Sequence, residues 1–145
     1  MNETKGATAT VAPPHFTLSI LHAAQAIGDQ LEEALSGVGL SMAKQSALTQ
    51  LAQAGEPLTL SELAARLSCV RSNITQLVDR LEADGLVRRV DDPADRRSVR
   101  AELTSLGLEK QALGAIEIER IQGELASRIS SDDLASLKSA LEALG

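Results

Sequence analysis

"TLSELAARLSCVRSNITQLVDRLEADG", Thr59 to Gly85, holds two helical patterns separated by three residues. Thr59 with Glu62 three positions on is a capping box: hydroxyl and carboxylate each satisfy a free backbone N–H at a helix start. Leu60, Leu63, Ala64 and Leu67 fall at i, i+3, i+4 and i+7, one face of a short helix. The turn is "SCV", Ser68 to Val70. From Arg71 to Asp84, Ile74, Leu77, Val78 and Leu81 line one face of a second helix, and Gly85 suits the left-handed conformation that closes it. Two short helices on a three-residue turn make a helix-turn-helix.

The next residues decide which kind. Leu86–Val90 is β-prone, and Pro93 with its neighbouring Asp residues is turn chemistry. Val99, Ala101 and Leu103 then alternate with Arg100 and Glu102, the pattern of a half-buried returning strand. A hairpin directly after a helix-turn-helix is a wing, with a charged tip in solvent and an apolar base on the helices.

Outward from this centre the pattern is helical. On the N-terminal side a helix runs from about Thr17 to Leu35, with Ile20, Ala24, Ile27, Leu31 and Leu35 as its stripe. Ser41 caps another that reaches about Ala54, with Ala47, Leu48 and Leu51 inward, before Gly55 and Pro57 break it. Past the wing, Thr104 caps a long helix from about Ser105 to Ile129, offering Leu113, Ile116, Ile121, Leu125 and Ile129 for burial. The last helix carries Leu134, Leu137, Leu141 and Leu144. The expected fold is mainly α, with five or six helices and one small β-hairpin. Residues 1–15, rich in Thr, Ala and Pro, read as a disordered arm.

Composition bounds the function. The 145 residues suit one domain with an appended arm, and with Phe16 the only aromatic the core must be aliphatic. The net charge of −6 argues weakly against a nucleic-acid partner, but the distribution reverses this. Arg66 to Arg100 holds eight Arg against six acids, +2, while the rest holds six basic residues against fourteen acids, −8. No apolar run approaches a membrane span, and the N-terminus lacks the pattern of a secretory signal. A single cysteine, Cys69, forms no internal disulfide, which suits a reducing cytoplasm. No nucleophile–base pair, glycine-rich phosphate loop or metal spacing is visible, so neither an enzyme nor a cofactor or metal site is expected.

The second helix of the motif suggests a mechanism. Opposite its apolar face lie Ser72, Gln76 and Asp79, flanked by Asn73, Thr75 and Arg80. Ser72, Asn73, Thr75 and Gln76 are short or amide-bearing groups able to read base edges in a major groove. Such a helix reads mainly through its N-terminal residues. Arg71 reaches either a base or a phosphate, and Asp79 is expected to be a structural ion-pair partner.

The stretch from Pro57 to Gly107, "PLTLSELAARLSCVRSNITQLVDRLEADGLVRRVDDPADRRSVRAELTSLG", resembles the DNA-binding core of the MarR family of bacterial transcriptional regulators. "VDRLEADGLVRR" and the wing pattern of Asp95, Arg97, Leu103 and Thr104 carry the resemblance. It implies a homodimer with interlocked terminal helices, two winged modules on one face of double-stranded DNA, and often a small-molecule effector where the two regions meet. On that basis residues 16–37 and 105–145 form a dimerisation region and 38–104 a DNA-binding region, binding a pseudo-palindromic operator as a ligand-responsive repressor. Arg97 corresponds to the wing-tip arginine that enters the minor groove, and Asp95 is read as the orienting partner of Arg97 or Arg96. Arg88, Arg89 and Arg100 supply phosphate contacts or balance Asp91 and Asp92. Where relatives often have Ser at the recognition-helix start this chain has Val70, and Cys69 reads as a small buried hydrophobe. His15 precedes the first helix, His22 reads as an interface or pocket-wall residue, and Phe16 as a dimer anchor or a lid. The competing reading is a winged-helix protein-interaction module that does not bind DNA.

Overall fold

The computed structural model describes residues 13–69 and 71–145, with only the backbone of Arg71. Val70, the Arg71 side chain and most of the expected N-terminal arm lie outside the described residues. In chain order the elements are α1 (Phe16–Ser36), α2 (Met42–Ala54), β1 (Leu58–Thr59), α3 (Leu60–Arg66), α4 (Arg71–Ala83), β2 (Val87–Asp92), β3 (Asp95–Leu103), α5 (Ser105–Ala126) and α6 (Ser131–Leu144). The mainly α winged helix-turn-helix expected from the sequence is present.

Helix starts follow the capping residues. Ser41 accepts from the Lys44 N–H at 3.2 Å, Thr104 from Gly107 at 3.0 Å and Ser130 from Asp133 at 3.2 Å. At α3 both halves of the capping box form: the Glu62 N–H donates to Thr59 Oγ1 at 3.1 Å, and the Thr59 N–H donates to Glu62 Oε2 at 3.0 Å. Gly85 adopts φ 74°, and the Leu86 N–H behind it donates to Leu81 O at 2.9 Å, closing α4.

The core lies where α2, α3 and α4 meet the sheet and the end of α1. Leu35, Leu48, Leu63, Ile74, Leu81, Val78 and Val87 are fully buried there. The sheet is larger than the expected hairpin. It has three antiparallel strands in the order β1-β3-β2, so β3 is central. Leu58 and Thr59 pair with Ala101 and Arg100, which ties the wing to the entrance of α3. Two residues, the second of them the Thr59 cap itself, carry too little alternation to read as a strand.

The terminal helices depart from the expected burial. Of the α1 stripe only Leu35 is buried; Ile20 and Leu31 are half-buried, and Ala24 and Ile27 are exposed. Leu113 and Ile116 of α5 are exposed, as are Leu137, Leu141 and Leu144 of α6, which buries no residue. Much of α1 and all of α6 extend past the single chain's core, so their periodicity is sound but their apolar faces are uncovered. Where α5 does meet the body, Ile121 is buried and Gly114 lets Gln45 of α2 approach its backbone, the Gln45 amide donating to Gln111 O at 3.0 Å. No helix among the described residues is long and apolar enough to cross a membrane.

Candidate nucleic-acid interface

The helix-turn-helix is set by the turn between α3 and α4. Ser68 takes φ 52°, and the Cys69 N–H donates to Ala64 O at 3.1 Å, reversing the chain tightly. Cys69 is half-buried and packs on the core, as a small hydrophobe would. Ile74, Val78 and Leu81 anchor α4 inward, with Leu77 half-buried. Ser72, Asn73, Thr75, Gln76, Asp79 and Arg80 are left exposed.

Two edges of this helix face different neighbours. Asn73, Gln76 and Arg80 border a groove of about 480 Å³ against α2, opposite Met42 and Ser46. Asp79 and Glu82 border the wing instead, where Arg89 of β2 holds both carboxylates: Nη2 donates to Asp79 Oδ1 at 2.5 Å and Nη1 to Glu82 Oε1 at 2.9 Å. The Asp79 hydrogen bond, reinforced by Glu82, raises the Arg89 pKa, although partial burial opposes it. Asp79 is thus the ion-pair partner expected of it. Arg89 balances Asp79 and Glu82, and not Asp91 or Asp92 as the sequence reading allowed.

The wing is irregular at the point that matters. Asp91 pairs with Val99, but the next residue, Asp92, pairs with Asp95. Arg96, Arg97 and Ser98 are therefore extra residues that bulge from the ladder. Such bulges re-aim side chains. Both arginines are exposed, and no described residue forms an ion pair with either. Asp95 orients Arg97 by a route the sequence did not indicate: its Oδ1 accepts the Arg97 backbone N–H at 2.9 Å. It grips the bulge and not the guanidinium.

The other wing arginines are engaged. Arg88 Nε donates to Glu102 Oε2 at 2.6 Å across the β2–β3 ladder, which raises the Arg88 pKa. Its side chain is still 66% exposed, so it can also face a phosphate. Arg100 is held by Asp92 at 3.2 Å and the Pro57 carbonyl at 3.2 Å, with Glu62 at 3.7 Å. Asp92, nearly buried, also accepts the Ala94 N–H at 3.0 Å. That bond first, and Arg100 second, lower its pKa. Lys44 binds Asp84 at 2.6 Å.

The paired charges explain how an acidic chain presents a basic face. Four of the six acids between Arg66 and Arg100, namely Asp79, Glu82, Asp84 and Asp92, are neutralised by Arg89, Lys44 or Arg100. Arg66, Arg80, Arg96 and Arg97 make no ion pair with a described residue. Arg100 balances Asp92, one of the partners the sequence reading allowed it, but its bond to Pro57 O and the pairing of Lys44 with Asp84, 43 and 40 residues away, are contacts that only the fold creates. Among the described residues no cluster of three His, Cys, Asp or Glu is placed to hold a metal ion.

Comparison with known proteins agrees with this geometry. Residues 40–99 match the MarR family. The HTH-type transcriptional regulator PrsX of Escherichia coli is 37% identical over 81 residues, covering 55% of this chain and 49% of that protein. The chain thus spans about half the length of this curated relative. The crystal structure of wild-type MarR from Escherichia coli, in its apo form, superposes with a TM-score of 0.74 at 25% identity, over 93% of this chain and 98% of that one. The transcriptional repressor CouR, bound to a 23-mer DNA duplex, shares the fold with a TM-score of 0.80 at 24% identity, over 94% and 99%. Residues 40–99, which run from the start of α2 into β3, are thus similar to the MarR family, and the winged helix-turn-helix fold is shared with these solved structures over more than nine-tenths of the chain.

Proposed function

We propose that this chain binds a pseudo-palindromic operator in double-stranded DNA as a homodimer and acts as a ligand-responsive repressor. The observation that carries the reading is the bulge that presents Arg96 and Arg97 to solvent on the same wing whose Arg89 grips α4, while the neighbouring acids are paired. In this reading α4 enters the major groove, where Ser72, Asn73, Thr75 and Gln76 meet base edges and Arg71, Arg80 and Arg88 meet bases or phosphates. Arg97, with Arg96 beside it and Asp95 holding the bulge, enters the adjacent minor groove, where a narrow A·T-rich segment concentrates negative potential. Residues 38–104 are the DNA-binding region.

Dimerisation rests on the uncovered apolar faces. Phe16, Leu18 and Leu21 of α1, and Leu137, Leu141 and Leu144 of α6, are each at least 44% exposed, a run of large apolar side chains open to solvent on each terminal helix. Residues 16–37 and 105–145 would cover one another across a two-fold axis. CouR being a repressor supports the sign of regulation. An effector would sit where α2 meets α5: a cavity of about 350 Å³ there is lined by Gln45, Thr49, Gln111 and Gln122 among others, and the buried Gln45 Oε1 has no hydrogen-bond donor among the described residues. It can change operator affinity only by binding the two module spacings with different affinity.

Fluorescence anisotropy with duplex DNA at two salt concentrations tests the reading. Binding should fall steeply with salt as counterions are released. Arg97→Ala should weaken it by roughly 1–3 kcal/mol with the dimer intact by sedimentation. Salt-insensitive or absent DNA binding would favour a winged-helix module that contacts protein instead.

A further inference from the structure

Arg100 was expected to touch phosphate or balance an aspartate; its surroundings assign it a more specific task. It occupies the central strand where that strand is paired on both sides, opposite Thr59 of β1 and Val90 of β2. Its guanidinium leaves that position in two directions. Nη2 donates to Asp92 Oδ2, on the far side of the Arg96–Ser98 bulge. Nη1 donates to Pro57 O and lies 3.7 Å from Glu62, the carboxylate of the α3 capping box. Asp92 in turn fixes the Pro93–Ala94 turn through the Ala94 N–H. One side chain therefore spans the base of the bulge and joins the hairpin tip to the start of the helix-turn-helix.

We propose that Arg100 is a positioning residue that aims the wing-tip arginines relative to α4, and that it contacts no DNA itself. The physical argument is one of stiffness. A three-residue bulge has lost its ladder hydrogen bonds, and a two-stranded tip is weakly fixed by itself. The planar fork of an arginine can hold a carboxylate and a carbonyl in fixed directions at once, which an ammonium cannot. With its donors committed to Asp92 and Pro57, and its side chain 27% exposed, Arg100 has little left to offer a phosphate. Contacts at a groove tolerate little misplacement, so loosening the brace removes the benefit of Arg97 without touching Arg97.

This inference rests on the DNA-binding reading, and the test separates the two. The full chain and its Arg100→Lys, Arg97→Ala and double variants are titrated on a duplex that the unmodified chain selects from a random pool, at several salt concentrations. Arg100→Lys keeps the charge and loses the fork. It should weaken binding about tenfold, within the range of one groove contact. In the Arg97→Ala background it should add almost nothing, and it should leave the slope of log affinity against log salt unchanged. Amide exchange in DNA-free protein supplies an independent readout: Arg97 and Ser98 should exchange faster in Arg100→Lys while α2 and α4 keep their protection. Additive losses, wild-type affinity for Arg100→Lys, or unchanged wing exchange would overturn the brace and leave DNA binding standing. Failure of the unmodified chain to select any duplex would overturn both.

Discussion

Gly107→Ala should damage this protein more than any other single methyl group added to a helical glycine. Gly107 lies in the first turn of α5, where its N–H donates to the Thr104 cap. A Cβ there would sit 1.9 Å from the Leu86 carbonyl oxygen, 2.9 Å from the Leu86 carbonyl carbon and 3.1 Å from Leu103 Cδ2. A comfortable carbon–oxygen approach is about 3.3 Å, so backbone must yield by roughly 1.4 Å. Neither side is free to do so. Leu86 O already accepts the Thr104 N–H at 3.1 Å, and Leu86 follows the left-handed Gly85 that ends α4. Overpacking costs about 1–3 kcal/mol, and a backbone-on-backbone collision belongs at the upper end. Alanine returns about 1 kcal/mol through helix propensity. The net loss is about 2 kcal/mol, a fall in melting temperature of about 6 °C for a domain of this size. Urea denaturation at fixed protein concentration measures it, with an unchanged m-value showing that stability alone has moved. Gly123→Ala, where a Cβ meets nothing within 4 Å, should instead raise stability by up to about 1 kcal/mol. A Gly107→Ala protein as stable as its parent would refute the packing of α5 against the α4–β2 junction.

Three other outcomes follow from the interface. Gln76→Ala should relax base preference at one position of each half-site in a binding-site selection; an unchanged sequence logo would remove Gln76 from base reading. Arg89→Gln leaves Asp79 and Glu82 unpaired on the reading helix, so DNA affinity should fall several-fold, on the scale of one charge contact, and Asp79→Asn should restore part of it. If the second change brings no recovery, Arg89 acts on DNA directly. Asp92 has a lowered pKa in the folded chain, so it contributes stability above the unfolded-state value of about 3.9 that is lost as pH falls through the folded value. Asp92→Asn should flatten the decline in stability below about pH 4, and identical pH profiles would contradict the Ala94 and Arg100 contacts.

How much of this was legible in the sequence depends on how local each determinant is. The capping box at Thr59 and Glu62, the caps at Ser41 and Thr104, and the left-handed Gly85 are written within four residues of where they act, and each forms as read. The apolar stripe of α4 was equally local, and so was the polar face opposite it. Partner choice among charges was not local. Eight arginines and six acids in one segment admit many pairings, and only the three-stranded register brings Arg100 to Asp92 and Pro57, and Arg89 to α4. Burial on the terminal helices was misjudged for a different reason: periodicity identifies an apolar face, but not whether its cover comes from the same chain, as Ile27 and Ile116 demonstrate.

The central claim is that α4 and the bulged wing fit adjacent grooves of one duplex. Hydroxyl-radical protection mapping on a duplex selected by the chain addresses it most directly. The account predicts two protected patches on one DNA face with centres about one helical turn apart, each flanked by minor-groove protection that disappears in Arg97→Ala while the central patches remain. Protection without that spacing, or flanks indifferent to Arg97, would contradict it.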